Sequence, residues 1–172
     1  MLLSAAKNEQ TICEISDVEL LYRPTYDQID RTLNKMLDKA GCGLSDIDAV
    51  MTGLSTHADN DKVYFEVIEN HFGDRPILCY KHLFGESFSA SAIGTYAAMT
   101  CLRNGRIPSF LRADINYKKV NPVVTSNNAM PADNKIVAET ATSTYDTNAV
   151  KRILVYNHHS NKPHSFILLS SC

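Results

Sequence analysis

The pattern of apolar and polar residues predicts strands that alternate with helices along most of the chain. A loose alternation of β-branched and acidic residues from Ile12 to Tyr22 predicts an extended strand. Thr25 and Gln28 then have the form of a capping box. The apolar residues after it fall on one helical face, namely Ile29, Leu33, Met36, Leu37 and Ala40. We therefore expect a first helix that ends at Gly41.

Two further strand and helix pairs follow. Ile47 to Thr52 and Ile77 to Tyr80 predict short strands. Asn60 or Asp61 can cap a second helix, which stops at Gly73. A third helix is expected from about Ser89 to Arg103. Because it has almost no charge, it should be the most buried helix, with these positions sheltered: Ala90, Ile93, Ala97 and Cys101.

The last part of the chain predicts a hairpin. The stretch 106–150 contains three prolines and many polar residues, which favours a long excursion. Arg152 to Asn157 and Ser165 to Leu169 then predict two strands joined by a short polar turn, and hence an antiparallel pair. Strands that alternate with helices indicate an α/β fold, with a largely parallel sheet covered by helices on both faces.

Composition narrows the classes of function. A chain of 172 residues fits one domain, and a net charge of -2 with interspersed signs excludes a basic stripe for nucleic acid. The five cysteines are irregularly spaced, which favours free thiols and a cytoplasmic location. The sequence predicts neither a secretory signal nor a membrane span. His158, His159 and His164 lack the spacing of metal ligands, so no metal or other cofactor is expected.

Two segments carry a resemblance to one enzyme family. KHLFGESFSASAIGTYAAMTCLRNGRIP, from Lys81 to Pro108, resembles a stretch of β-ketoacyl carrier-protein synthases in which a lysine, a Gly-His pair and a run of small residues precede Gly-x-Ile-Pro. The segment from Asn60-Asp61 to Phe72-Gly73 resembles that family's Asn-Asp to Phe-Gly helix, and the final strands resemble its closing hairpin. The resemblance implies the C-terminal half of a thiolase-like condensing enzyme, with a mixed, mostly parallel sheet.

The catalytic positions of that family are altered in this chain. Gly53 takes the place of the first catalytic histidine, and Glu86 takes the place of the second. In the family these histidines donate hydrogen bonds to developing charge, which glycine and ionised glutamate cannot do from their side chains. The glycine-rich turn is replaced by HHSNKPH, where Pro163 has no amide hydrogen. No segment resembles the nucleophile elbow that carries the family's cysteine.

The resemblance nevertheless implies a set of site residues. Lys81, at the family's lysine position, and Glu86 are the expected catalytic residues, and His57 could supply a relocated imidazole. The expected substrate contacts are Ser55, Thr56, Asn157 and His158. Each position also has a plain structural interpretation: Lys81 as a solvated lysine, Glu86 as a helix cap or the ion partner of Lys81, His57 as an exposed loop residue, and Asp61 as a helix cap.

Three functions remain open on this basis. The first is a 3-oxoacyl-[acyl carrier protein] synthase-like protein for decarboxylative condensation in fatty-acid or polyketide-type synthesis, inactive as this chain alone. The second is a non-catalytic partner that resembles a chain-length factor, and the third is a thiolase-fold scaffold without an acyl ligand. We expect residues 1–172 to be a single domain of a longer or two-part protein. Its expected partners are acyl carrier protein and an N-terminal half or partner ketosynthase subunit, in a homo- or hetero-oligomer.

Overall fold

The computed structural model describes residues 3–55, 57–87, 89–113 and 149–172. The strands in these ranges are β1 (Cys13–Tyr22), β2 (Ala49–Thr52), β3 (Ile77–Cys79), β4 (Arg152–His158) and β5 (Pro163–Ser171). The helices are α1 (Tyr26–Lys39), α2 (Ala58–His71), α3 (Lys81–Phe84) and α4 (Ala90–Asn104). The four-residue helix α3 was not expected. Most of the predicted excursion, and Thr56, lie outside the described residues.

The strands of the described ranges form one mixed sheet in the order β1-β5-β4-β2-β3. β2 pairs in parallel with β3 and β4, whereas β5 is antiparallel to both β4 and β1. All strands except β5 therefore run in the same direction, which confirms the mixed, mostly parallel α/β sheet. The hairpin of β4 and β5 is also confirmed, and its last pair is His158 with His164.

Helices cover both faces of the sheet, as expected. On one face α1 and α2 pack over the sheet, with Leu33, Met36, Val67 and Ile68 in the shared core. α1 has the expected capping box. The Thr25 side chain accepts the backbone N–H of Gln28, and the Gln28 side chain accepts the backbone N–H of Thr25. On the other face α4 packs against the sheet, in a second core cluster.

Helix α4 is only partly as predicted. Ala90 and Cys101 are buried as expected. Ile93 and Ala97 are only half-buried, so the prediction that these two are sheltered is wrong. The buried face of α4 is rotated from the predicted one because Gly94 lies against the Tyr80 ring. A Cβ added at Gly94 would be 2.5 Å from Cε1 of that ring. In the described ranges neither α4 nor any other helix is long and apolar enough to cross a membrane.

Edge strand β1 leaves an apolar stripe uncovered. Val18, Leu20 and Tyr22 are 48%, 74% and 69% exposed. Side chains alternate along a strand, and the intervening Leu21 packs on the core beneath α1 and α2. The stripe therefore lies on the face of the sheet that α4 covers only in part.

Candidate functional site

A small cavity lies where several strands end. Gly53 and Ser55 follow β2, Lys81 follows β3, and His158 is the last residue of β4. The carboxyl ends of parallel strands meet at one edge of a sheet, where α/β proteins commonly bind ligands. The cavity has a volume of about 70 Å³ and is lined by Gly53, Ser55, Asn60, Asp61, Tyr64, Lys81, Glu86, His158, His159 and Ser160. Four of the predicted site residues thus meet here: Ser55, Lys81, Glu86 and His158.

The space beside Gly53 is filled by a hydrogen-bonded network. A Cβ on residue 53 would lie 2.5 Å from the hydroxyl oxygen of Tyr64 and would overlap Oδ1 of Asn157. The Tyr64 hydroxyl donates to Asn157 Oδ1 at 3.2 Å and accepts the His158 backbone N–H at 2.8 Å. The Tyr80 hydroxyl donates to the same Asn157 oxygen at 3.1 Å. Burial raises the pKa of Tyr64 and Tyr80, so both hydroxyls remain protonated donors.

Lys81 and Glu86 form an ion pair at the cavity. Lys81 Nζ lies 2.6 Å from Glu86 Oε2, and the lysine side chain is 7% exposed whereas the glutamate is 51% exposed. The interpretation of Lys81 as a solvated lysine is therefore wrong. Of the two plain alternatives for Glu86, the ion pair is confirmed, and the N-cap of α4 is Ser89 instead.

Asp61 holds the loop that follows β2. It is 2% exposed, and its carboxylate accepts the Ser55 backbone N–H at 2.9 Å and the Ser55 hydroxyl at 3.0 Å. The expectation that Asp61 caps its helix is wrong, because α2 begins at Ala58 after His57 as N-cap. His57 is exposed and is not among the residues that line the cavity.

His158 is buried with one nitrogen unpartnered. Its Nδ1 accepts the Asn161 backbone N–H at 3.3 Å, which places the ring proton on Nε2. Within the described ranges that buried Nε2 has no hydrogen-bond partner. The ring stacks on Tyr64 and on His164, with centroid distances of 4.2 and 5.1 Å. Burial lowers the pKa of His158 to about 4, with His164 and Lys81 adding to the shift.

The buried cysteines are poor nucleophiles. Burial raises the pKa of Cys79 and of Cys101 to about 11, so both are protonated thiols at neutral pH. The Cys79 thiol lies 3.3 Å from Nδ1 of His82, whose Nε2 donates to the Phe110 carbonyl at 2.9 Å. With its proton on Nε2, the His82 ring can accept a hydrogen bond from the thiol at Nδ1. Among the described residues no cluster of three or more metal-ligating side chains is present.

The chain is similar to solved structures but not to any sequence family that was compared. No protein-family model and no curated protein sequence matches the chain. Solved structures do match. The ishigamide ketosynthase/chain length factor gives a TM-score of 0.65 at 20% identity, over 94% of this chain and 38% of that chain. An oxazolomycin ketosynthase domain from Streptomyces albus JA3453 gives a TM-score of 0.68 at 14% identity, over 94% of this chain and 45% of that chain.

The chain has the thiolase-like fold of ketosynthases. A type II polyketide synthase acyl-carrier protein in complex with its ketosynthase also matches, with a TM-score of 0.66 at 17% identity, over 94% of this chain and 39% of that chain. The chain spans less than half the length of these solved chains and corresponds to their C-terminal half. The ketosynthase-like fold expected from the motifs is thereby confirmed.

The network around Gly53 could not be found from the sequence. The sequence shows Tyr64 only as one position of a helix, yet its hydroxyl contacts Asn157, which is 93 positions away. Asn157 is expected as a substrate contact, and its side-chain oxygen accepts from two tyrosines. A weak signal was present, because the glycine at position 53 leaves space that a large neighbour can fill.

Proposed function

We propose that this chain is the C-terminal half of a non-catalytic, ketosynthase-like partner, comparable to a chain-length factor, in fatty-acid or polyketide-type synthesis. One observation carries the proposal: the Tyr64 hydroxyl and the Asn157 amide fill the space that an imidazole on residue 53 would need. A merely vacant position would leave room for a catalytic group from elsewhere. A filled and hydrogen-bonded position does not.

The remaining site residues also fit a partner that binds without reacting. Decarboxylative condensation needs a nucleophile that holds the acyl group and donors for the developing negative charge. Glu86 carries negative charge at the second histidine position. It also pairs with Lys81, so the lysine is not free to stabilise a developing negative charge. Loss of one oxyanion donor typically costs about a hundredfold to a thousandfold in rate, so loss of both should leave no useful turnover.

The apolar stripe of β1 supports a partner surface in the same proposal. Val18, Leu20 and Tyr22 are exposed on the face of the sheet that α4 covers in part, and Tyr96 of α4 is 63% exposed. The solved chains that match are more than twice as long, so these residues correspond to less than half of their fold. We propose that an N-terminal half or a partner ketosynthase subunit covers this face. An acyl carrier protein as partner and a cytoplasmic location belong to the same proposal.

A condensation assay tests the catalytic part of the proposal. The 172-residue chain is incubated with acyl- and malonyl-loaded carrier protein, and mass spectrometry follows the product and any acylated cysteine. We expect neither product nor acyl-enzyme above a protein-free blank, but measurable binding of the carrier protein. Turnover that disappears in His57→Ala would contradict the proposal and favour the alternative of an active enzyme with a relocated imidazole.

Sizing across a wide concentration range tests the partner surface. The isolated chain should self-associate through the stripe, and Leu20→Glu should shift it to the monomer because a charge on an apolar contact is costly to desolvate. Leu3→Glu is the matched control, since Leu3 is 70% exposed but lies outside β1. A parent chain that is monomeric throughout, or equal effects of both variants, would argue against this face.

A further inference from the structure

We propose that Lys81 forms a binding site for a small carboxylate, and that Glu86 occupies this site in the resting protein as an internal ligand. The inference rests on the proposed function in one respect, because it names the ligand class of the same non-catalytic cavity.

The cavity has room for more than water. Its volume is about 70 Å³, several times the roughly 10–15 Å³ that one water molecule needs. A molecule of a few heavy atoms, such as acetate, fits this volume, whereas a long acyl chain does not. The ligand is therefore a small polar group or the polar end of a larger molecule.

The available groups on the wall are hydrogen-bond donors. Lys81 presents an ammonium group, which carries three N–H donors. The opposing carboxylate of Asp61 is already engaged, because both the amide and the hydroxyl of Ser55 donate to it. Such an ammonium group matches the oxygens of a carboxylate.

Glu86 already places a carboxylate on the lysine, and its position makes it displaceable. Its side chain is half exposed, while Lys81 is almost fully buried. It follows Gly85, whose φ of 73° favours glycine, in the short segment between α3 and α4. Turning Glu86 into solvent leaves the glutamate well hydrated but leaves a buried ammonium unpaired, a strongly unfavourable state. An external carboxylate restores the pair.

Acetate titration of the full chain tests the inference. Sodium acetate, with sodium chloride at the same ionic strength as reference, is titrated into the parent, Glu86→Ala and Glu86→Gln, and binding is followed by NMR chemical shifts. We expect Glu86→Ala to bind acetate at least tenfold more tightly than the parent and to gain thermal stability from it. Glu86→Gln keeps the shape of the side chain and should also bind more tightly, even if Glu86→Ala folds poorly.

Two further variants identify the site. Glu66→Ala removes another exposed carboxylate, which pairs with Lys62 on the surface of α2, and should bind acetate like the parent. Lys81→Met combined with Glu86→Gln should abolish the binding. Equal acetate affinity in the Glu86 variants and the parent, or full binding without Lys81, would overturn the inference. Carrier-protein binding is measured separately, so its failure would affect only the proposed function, whereas a failure to bind acetate would affect only this site.

Discussion

The two sides of the cavity differ in how their polar groups are satisfied. On the Gly53 side, Tyr64, Tyr80 and Asn157 are uncharged and bond to one another in a closed network. On the opposite side, Lys81 depends on a half-exposed glutamate that can leave. Gly53 is thus part of the packed core, whereas Lys81 and Glu86 place charged groups at the cavity. Substitutions on the first side should therefore change stability, and substitutions on the second side should change binding.

The largest effect is expected at Gly53. Gly53→Ala should lower the free energy of unfolding by about 3 kcal/mol, because the new methyl group overlaps Asn157 and crowds the Tyr64 hydroxyl. Urea unfolding measures this effect. Gly43→Ala is the matched control, since its Cβ would meet nothing closer than 3.7 Å. Similar losses in both variants would show that the space beside Gly53 is not closed.

The second largest effect is expected in acid, which should lower the free energy of unfolding through the buried His158. The pKa of His158 is about 4 in the folded chain and about 6.5 when unfolded, so folding favours the neutral ring. This contribution is complete above pH 6.5 and is lost as the pH falls toward 4, up to about 3 kcal/mol in total. His164 and His71, whose pKa values are also lowered, act in the same direction. Unfolding at several pH values should show a shallower slope in His158→Gln than in the parent, and identical slopes would refute this assignment.

Tyr64→Phe should have a smaller effect. It removes the acceptor of the buried His158 N–H and one of two donors to Asn157, at a cost of about 2 kcal/mol. The same change makes room beside residue 53. In a double-mutant cycle, the combination with Gly53→Ala should therefore cost less than the sum of the single variants. Strict additivity in thermal or urea unfolding would mean that the two residues do not compete for space.

The smallest change in stability is expected on the charged side. Lys81→Met replaces a buried cation with an apolar side chain of similar length and leaves Glu86 free to be solvated. Because Glu86 is half exposed, its charge is hydrated once the lysine is gone, so the free energy of unfolding should change by less than about 1 kcal/mol. A large loss in urea unfolding would place the ion pair among the structural elements of the fold and remove the contrast between the two sides.

Local signals in the sequence predicted most of the fold. The capping box of α1 and the alternation of strands and helices depend on neighbouring residues, and the structure bears both out. Helix α3 escaped prediction because four residues are too few to show a helical period. The buried face of α4 was misplaced at Ile93 because the contact of Gly94 with Tyr80 depends on an aromatic ring outside the helix.

The site was less predictable than the fold. The family resemblance selected Lys81, Glu86, Ser55 and His158, which do meet at one cavity. It could not show that Asp61 binds Ser55 rather than capping a helix, because a carboxylate in a first helical turn can do either. The burial of His158 was also hidden, since its neighbours in the sequence are polar and its shelter comes from Tyr64 and His164.

The order of the strands has a consequence for how the chain acquires its fold. Of the described strands β1 is synthesised first, but its one neighbour in the described part of the sheet is β5, the last of them. The described helices and strands between them must therefore emerge from the ribosome before β1 can pair with β5. Contacts between such distant segments require the closure of a long loop, which slows folding and leaves the apolar residues of β1 exposed to other chains meanwhile. Asp17 and Glu19 form ion pairs with Lys39 of α1. These local contacts can hold β1 against α1 before β5 has been synthesised.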